Sequence, residues 1–207
     1  MRAAQTAQLE EVRKEWNAAP NFLKGTLKSD FEIDELRRSP FADRVAFITA
    51  TKDEGNSLCQ EGQYQDAIDC YTKALSVLIW FEMPEGRRSD YINLVRDYRV
   101  SRAGIDLAEH NVVVLLLNVA HCENKLGHWD ASIYACKMAI DIDKYNVKAL
   151  YRRAIAYYNQ GTSLSLDSAV EDLLSANAID PEDKAVSRLL GRYFKEKTEQ
   201  DRYVCLD

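Results

Sequence analysis

The sequence predicts an all-α fold, a stack of three helical hairpins closed by a C-terminal capping helix. Two observations predict it: small residues recur at fixed intervals along the middle of the chain, and larger apolar residues lie between them at helical spacing. The composition agrees, because 46% hydrophobic and 29% charged residues describe a globular protein with a buried core. A chain of 207 residues suits one domain with an appendage.

Three small residues mark each of three units. The first two lie 12 or 15 residues apart, and the last two lie 7 residues apart. Only small side chains at such positions let two helix backbones approach closely. The second and third units are offset by 34 residues, and the first and second by 65, which leaves an insertion of 31 residues. These residues are Gly55, Ala67 and Ala74, then Ala120, Ser132 and Ala139, then Ala154, Ala169 and Ala176.

A glycine lies between the two predicted helices of each unit. Gly62, Gly127 and Gly161 are therefore expected in the turns, and Pro181 is expected to end the third unit. A period of 34 residues built from two short helices resembles the tetratricopeptide repeat, and this resemblance implies that the three hairpins form a right-handed superhelical stack. The resemblance covers residues 44–181, with repeats at about 48–81, 113–146 and 147–181 and an insertion at 82–112.

The segments outside the repeats have separate predictions. Residues 182–207 should provide the capping helix, which covers the apolar face that a last repeat leaves open. Its apolar face would consist of Val186, Leu189, Leu190, Tyr193 and Phe194, with Lys195 and Lys197 on the solvated face. Residues 1–43 contain one predicted helix, Thr6 to Trp16, and then a polar stretch broken by Pro and Gly, whose role the sequence does not indicate.

The extra residues between the first two units begin with the apolar run SVLIWFEMPEG. We expect the second helix of the first repeat to continue through this run to about Phe81. A turn at Met83–Gly86 and a further helix, about Ser89 to Val100, should then lead into the second repeat.

Five polar residues recur on the predicted first helices of the repeats. Lys52 and Asn56 share one face of their helix, as do Lys148 and Arg152, because each pair has i, i+4 spacing. Asn118 interrupts the run VVVLLLNVA, where packing alone would favour another aliphatic residue. Three cations and two carboxamides together provide charge and directed donors, and therefore predict a receptor for carboxylates.

The strings KDEGN, LLLNVAHC and VKALYRRA resemble the carboxylate-clamp tetratricopeptide domains of co-chaperones. The resemblance implies that the first helices line a concave groove. There these five residues would bind the C-terminal Glu-Glu-Val-Asp of the 90-kDa or 70-kDa heat-shock proteins. Leu115 and Tyr151 are the candidates for apolar pockets that contact the valine and upstream residues.

The insertion and the strings YNVKALYRRA and AIDPEDKAV are similar to those of large immunophilins, such as the forty-kilodalton cyclophilin and the aryl-hydrocarbon-receptor-interacting protein. The residues before the repeats are too few for a prolyl-isomerase domain, so we expect no such activity in this chain. The sequence identifies neither the preferred chaperone nor a client protein.

Other classes of function lack support in the sequence. The three histidines have no recognisable catalytic partners and there is no Gly-rich phosphate loop, so we expect no enzyme, cofactor or metal site. The net charge of −6 argues against nucleic acid, and the run Val112–Leu117 is too short to span a membrane. Five cysteines without a C-x-x-C pair suggest reduced thiols in the cytoplasm or nucleus.

Two alternatives remain open. The groove could bind another acidic or C-terminal peptide, in which case the chain is a scaffold of a different pathway. The last residues, from Val204 to Asp207, also resemble the expected ligand, and could either bind a second copy of the chain or match it by chance.

Overall fold

The computed structural model of the chain contains two compact units, Met1–Val119 and Ala120–Asp207, and each is described by itself. The predicted turn at Met83–Gly86 and the final residues 205–207 lie outside the described part. The structure describes residues 10, 13–27, 31–82, 93–97 and 102–204.

Unit 1 contains short helices, one long helical hairpin, a strand pair and the beginning of a further long helix. The predicted N-terminal helix is helical over residues 13–18, and its earlier part lies outside the described residues. The elements are α1 (13–18), α2 (Asn21–Gly25), α3 (Phe31–Arg38), α4 (Phe41–Gln60), α5 (Tyr64–Leu75), β1 (Ile79–Glu82), β2 (Asn93–Arg96) and the first part of α6 (Arg102–Leu126).

Helices α4 and α5 form the first hairpin, and they touch at the predicted small residues. A Cβ atom added to Gly55 would lie 2.7 Å from Cε1 of Tyr71, closer than real contacts allow. Ala67 and Ala74 are fully buried. Gly62, in the turn, has a φ of 81°, a conformation that glycine adopts without strain. The predicted pairing of these helices is confirmed, although α4 begins at Phe41, before the predicted start at 48.

The insertion departs from the prediction. Helix α5 ends at Leu75 instead of continuing to Phe81, and the run that follows enters an antiparallel strand pair. Trp80 pairs with Val95, so the predicted helix from Ser89 to Val100 is also wrong. An unbroken apolar run buries equally well as a strand or as a helix, because its side chains need cover on all sides in either case. The periodicity of the sequence therefore could not distinguish a strand from a helix in this run.

The residues before the repeats pack onto the first hairpin and the strand pair. Ala19, Phe22 and Leu23 are buried. The backbone N–H of Phe81 donates to Thr26 Oγ1 at 3.0 Å, and that hydroxyl donates to the Leu23 carbonyl oxygen. This N-terminal segment is therefore part of the folded core of unit 1.

Aromatic rings and cations extend this contact. The rings of Trp16 and Phe81 meet edge to face at 4.9 Å between centroids. The guanidinium of Arg37 lies 4.1 Å from the Trp80 ring centroid, and its Nε donates to the Ser76 carbonyl oxygen at 2.9 Å. Such contacts cover the apolar strand β1 and explain why it is buried at three of its four positions.

Unit 2 consists of the end of α6 and four further helices. Helix α6 begins at Arg102, before the predicted repeat start at 113, so part of the predicted insertion belongs to the second repeat. The third hairpin consists of α8 and α9. The helices after α6 are α7 (Trp129–Ile142), α8 (Val147–Gln160), α9 (Ser163–Ile179) and α10 (Lys184–Val204).

Small residues again lie at the helix contacts of unit 2. Ala120, Ala139, Ala154, Ala169 and Ala176 are fully buried. The buried hydroxyl of Ser132 donates to the Ala120 carbonyl oxygen at 3.1 Å, which also satisfies this polar group. The turn glycines Gly127 and Gly161 have φ values of 79° and 74°, as their predicted place in the turns requires. The hairpin pattern is confirmed.

Helix α10 covers the end of the third hairpin, as predicted, but its apolar face differs by one residue. Val186 and Tyr193 are buried in the core of unit 2, with Leu189 and Leu190 packed against it. Phe194 was expected on this face and is 52% exposed. The ring of Tyr193 occupies the contact instead, stacked on Tyr158 with 3.9 Å between centroids.

The two cations expected on the solvated face of α10 also differ from each other. Lys195 is exposed and lies near Glu199, one turn away. Lys197 forms an ion pair with Asp167 of α9. The pair connects the capping helix to the third hairpin by charge as well as by apolar contact.

Part of helix α6, Gly104–Leu126, is long and apolar enough to cross a membrane by length and composition. Burial inside the protein accounts for this apolar composition. The fully buried residues include Val112, Leu115, Leu116 and Val119. A helix that is covered by protein on several sides needs apolar residues around most of its circumference.

The N-terminal segment should contribute measurably to stability. We expect Leu23→Ala to lower the free energy of unfolding by about 2–5 kcal/mol, because it leaves a cavity in a fully buried site. Urea unfolding followed by circular dichroism measures the loss. Phe31→Ala is the matched control, since Phe31 is 76% exposed and should have little effect. Equal effects of the two substitutions would contradict the packing described above.

Candidate carboxylate-binding site

Three of the five predicted site residues lie in unit 1. Lys52 and Asn56 are one turn apart on α4, and Asn118 lies on α6. Both asparagines are partly buried, and the Lys52 side chain is 25% exposed. The chain thus places a cation and two carboxamides where part of each side chain remains accessible to solvent.

The two carboxamides are in direct contact. Nδ2 of Asn118 donates to Oδ1 of Asn56 at 3.2 Å, although the residues are 62 positions apart in the sequence. The hydroxyl of Tyr71 donates to the same oxygen at 2.9 Å. The structure therefore brings together Asn56 and Asn118, and adds Tyr71, which was not among the predicted site residues.

An acidic residue of the chain lies against the donors of α4. Oδ1 of Asp53 is 3.7 Å from Nζ of Lys52 and 3.5 Å from Nδ2 of Asn56. The Asp53 side chain is 64% exposed, so water competes for both contacts and their energy is small. The two donors thus already face an oxygen acceptor.

The other two predicted residues, Lys148 and Arg152, lie one turn apart on α8 in unit 2. The side chain of Asn146 caps this helix by accepting the N–H of Ala149 at 3.0 Å. Lys148 is exposed and Arg152 is partly buried. Nδ2 of Asn124 donates to the Arg152 carbonyl oxygen at 3.0 Å and so attaches the end of α6 to the middle of α8.

The neighbouring arginine has a different role. Arg153 donates from Nε and Nη2 to the two carboxylate oxygens of Asp172 at 2.8 and 2.7 Å. This bidentate pair, largely covered from solvent, raises the pKa of the Arg153 guanidinium. Of the two adjacent arginines, Arg153 therefore connects α8 to α9, while Arg152 belongs to the predicted site.

A histidine near Arg152, His121, was not among the predicted site residues. Burial lowers the pKa of the His121 imidazolium, and the positive charges of Arg152 and Lys125 lower it further. His121 is three residues after Asn118 on α6, so its spacing was the available signal. The charges of Arg152 and Lys125 thus make the surroundings of His121 locally positive, although the chain has a net charge of −6.

The two candidates for an apolar pocket differ in accessibility. Leu115 is fully buried and contributes to the core of unit 1, so its side chain offers no surface to a ligand. Tyr151 is partly buried and packs against the core of unit 2. Of the predicted pair, Tyr151 alone keeps an exposed part.

The cysteines within the described residues are not joined in a disulfide bond. Cys122 and Cys136 are buried, and burial raises the pKa of the Cys136 thiol to about 12. Such a thiol is protonated at neutral pH and a poor nucleophile. These two cysteines therefore serve as small apolar core residues.

The comparisons with known proteins agree with the repeat fold. No family model matches the chain. It is 29% identical over 168 residues to the peptidyl-prolyl cis-trans isomerase FKBP42 of Arabidopsis thaliana, which covers 81% of this chain and 39% of the relative. It is 27% identical to the FK506-binding protein-like protein of Rattus norvegicus over 71% of this chain and 35% of the relative. The chain thus spans well under half of these relatives.

Solved structures give the same result. The C-terminal tetratricopeptide domain of a Plasmodium falciparum FK506-binding protein matches 81% of this chain and 99% of that domain, with a TM-score of 0.62 and 23% identity. The first such domain of Spaghetti (RPAP3), bound to the HSP90 peptide SRMEEVD, matches 73% of this chain and 93% of its own, with a TM-score of 0.53 and 20% identity.

A third structure has a different ligand. The second tetratricopeptide domain of human RPAP3, in complex with the HSP70 peptide SGPTIEEVD, matches 72% of this chain and 97% of its own. Its TM-score is 0.52 and its identity is 22%. The fold of this chain is therefore the all-α tetratricopeptide fold, and its domain resembles those of FKBP-type immunophilins and of RPAP3.

The half-buried His121 should make the stability of the protein depend on pH. The pKa of His121 is lower in the folded state than its ordinary value of about 6.5, so folding favours the neutral ring. Its contribution to stability is therefore present above about pH 6.5 and is lost as the pH falls through the folded-state pKa. We expect His121→Gln to reduce the loss of stability between pH 7.5 and pH 5.5, measured by urea unfolding.

The matched control is His110→Gln, because His110 is exposed. It should keep the pH dependence of the unchanged protein. If His121→Gln and the control show the same pH dependence, the electrostatic environment described for His121 is incorrect.

Proposed function

We propose that this chain is a co-chaperone adaptor that binds the C-terminal Glu-Glu-Val-Asp of the 90-kDa or 70-kDa heat-shock proteins. Lys52, Asn56, Asn118, Lys148 and Arg152 hold the carboxylates of that peptide. The observation that carries the proposal is the hydrogen bond between Asn56 and Asn118, which brings two carboxamides to one place beside Lys52.

The chemistry of these side chains suits a peptide end. A carboxylate accepts hydrogen bonds and donates none, so a receptor needs donors and positive charge. Lys and Arg supply both, and the asparagine amides add donors without adding repulsion between cations. Hydrogen bonds to charged groups contribute about 1.5–3 kcal/mol each. Association costs offset much of that sum, so we expect micromolar affinity, about −7 to −8 kcal/mol.

The structural relatives support this choice of ligand. Two of them hold peptides that end in Glu-Glu-Val-Asp, one from HSP90 and one from HSP70. The role proposed for this chain is binding and not catalysis, in the cytoplasm or the nucleus. Neither nucleic acid nor a membrane is part of the proposed role.

A second candidate function uses the same groups. Lys52 and Asn56 already face the carboxylate of Asp53, so they accept a side-chain carboxylate as well as a terminal one. The chain would then be a scaffold that binds another acidic or C-terminal peptide. The two functions differ in whether the free peptide end is required.

Removal of the cations of α8 should abolish binding. We expect Lys148→Ala and Arg152→Ala each to reduce the affinity for a Glu-Glu-Val-Asp peptide at least tenfold, because each removes a charge-assisted contact of about 1.5–3 kcal/mol. Isothermal titration calorimetry measures the affinity, and circular dichroism verifies that the helices are retained. Lys144→Ala is the matched control, since Lys144 is exposed and lies in the turn before α8. Undiminished binding by both α8 variants would rule out the proposed site.

The ligand's terminal carboxylate provides a second test. A peptide with an amidated C-terminus should bind at least tenfold more weakly than the free acid, because the receptor then loses one ionic acceptor. The comparison uses tail peptides of both chaperones and an internal acidic peptide of equal charge. Equal affinity for the free acid, the amide and the internal peptide would favour the scaffold function.

A further inference from the structure

We propose that Tyr71 is a positioning residue for carboxylate binding. Its hydroxyl, together with the amide of Asn118, holds the Asn56 side chain so that the amino group of Asn56 faces the ligand. The inference rests on the proposed function and adds a residue that orients one of its donors without contacting the ligand.

The hydrogen bonds of Asn56 determine the orientation of its amide. Oδ1 accepts from the Tyr71 hydroxyl at 2.9 Å and from Nδ2 of Asn118 at 3.2 Å. A carbonyl oxygen has two lone pairs, so these bonds use both. The reversed amide would place the amino group of Asn56 against that of Asn118, where neither can accept. Nδ2 of Asn56 therefore remains as the group available to a ligand.

The position of the Tyr71 hydroxyl is fixed by packing. Tyr71 is 1% exposed, and its ring lies directly against Gly55, where an added Cβ would be 2.7 Å from Cε1. The ring cannot move toward α4, and the adjacent residue Asn56 meets its hydroxyl. Gly55 and Asn56 thus act together, since the glycine admits the ring and the asparagine receives its hydrogen bond.

The side of Asn56 opposite to Tyr71 already faces a carboxylate. Nδ2 of Asn56 lies 3.5 Å from Oδ1 of Asp53, and Nζ of Lys52 lies 3.7 Å from the same oxygen. Asp53 is exposed, so an incoming carboxylate can replace it without burying a charge. This contact indicates the direction from which a ligand's carboxylate would approach Asn56.

This fixed orientation makes Asn56 selective for a ligand group that accepts hydrogen bonds. With Nδ2 outward, Asn56 donates to a carboxylate. With Oδ1 outward, it would repel a carboxylate and accept from the N–H of an amide. Loss of the Tyr71 hydroxyl removes one of the two bonds that favour the first orientation, so discrimination between acid and amide should decrease.

The variant Tyr71→Phe tests this, because it keeps the ring and removes only the hydroxyl. Calorimetry compares three peptides: the Glu-Glu-Val-Asp free acid, its C-terminal amide, and the peptide with its last residue changed from Asp to Asn. We expect the free acid to bind about threefold to tenfold more weakly. The preference of the receptor for the acid over at least one of the two amide peptides should shrink as well.

The control separates this effect from a loss of stability. Tyr145→Phe removes a hydroxyl from a tyrosine that is 76% exposed and should change neither the affinity nor the preference. Urea unfolding of Tyr71→Phe measures the change in stability. A lower stability with an unchanged acid-to-amide preference would overturn the proposal, because packing alone would then explain Tyr71.

A second measurement does not depend on the peptide. In a sample labelled with ¹⁵N, the side-chain amide of Asn56 should show two distinct, well-dispersed proton resonances, and Tyr71→Phe should shift or broaden them. Unchanged resonances would overturn the positioning role whether or not the peptide binds. Shifted resonances in a protein that fails to bind the peptide would support the positioning role and count against the proposed function.

Discussion

The close approach of paired helices is the constraint on which this chain depends. Two helices can pack tightly only where one of them presents almost no side chain, and each hairpin provides such residues. In the first hairpin the contact is between Gly55 and the ring of Tyr71. In the second, Ser132 approaches the Ala120 backbone closely enough for a hydrogen bond of 3.1 Å. These helix contacts also fix the positions of nearby polar groups, such as the hydroxyl of Tyr71.

The candidate site shows how packing and binding chemistry are coupled. The ring of Tyr71 is held by packing, its hydroxyl holds Asn56, and Asn56 in turn accepts from Asn118. A directed hydrogen bond requires both partners to be positioned, and buried side chains lose that freedom on folding instead of on binding. A tetratricopeptide hairpin can therefore present a fixed donor from a helix surface.

Cations in this protein occur in two different surroundings. Arg153 is covered by Asp172, and Arg44 lies 3.8 Å from the buried Asp97, so these charges hold elements of each unit together. Lys148 is exposed on the same helix as Arg153. A buried cation needs a carboxylate of the chain itself, whereas an exposed one remains able to exchange water for a ligand. The degree of burial, and not the residue type, distinguishes the cations that hold the fold together from those that remain exposed to solvent.

The sequence alone determined the three hairpins, their turn glycines and the capping helix, because the helical period and small-residue spacing are local properties of the chain. It also indicated five polar residues, of which Asn118 was marked by its position in an aliphatic run. Tertiary structure decided the rest. The run after Leu75 became a strand because Trp16, Thr26 and Arg37 cover it, and these residues are distant in sequence. Likewise, no local pattern could reveal that Tyr71 orients Asn56, since a hydrogen bond between two helices depends on the distance between them in space.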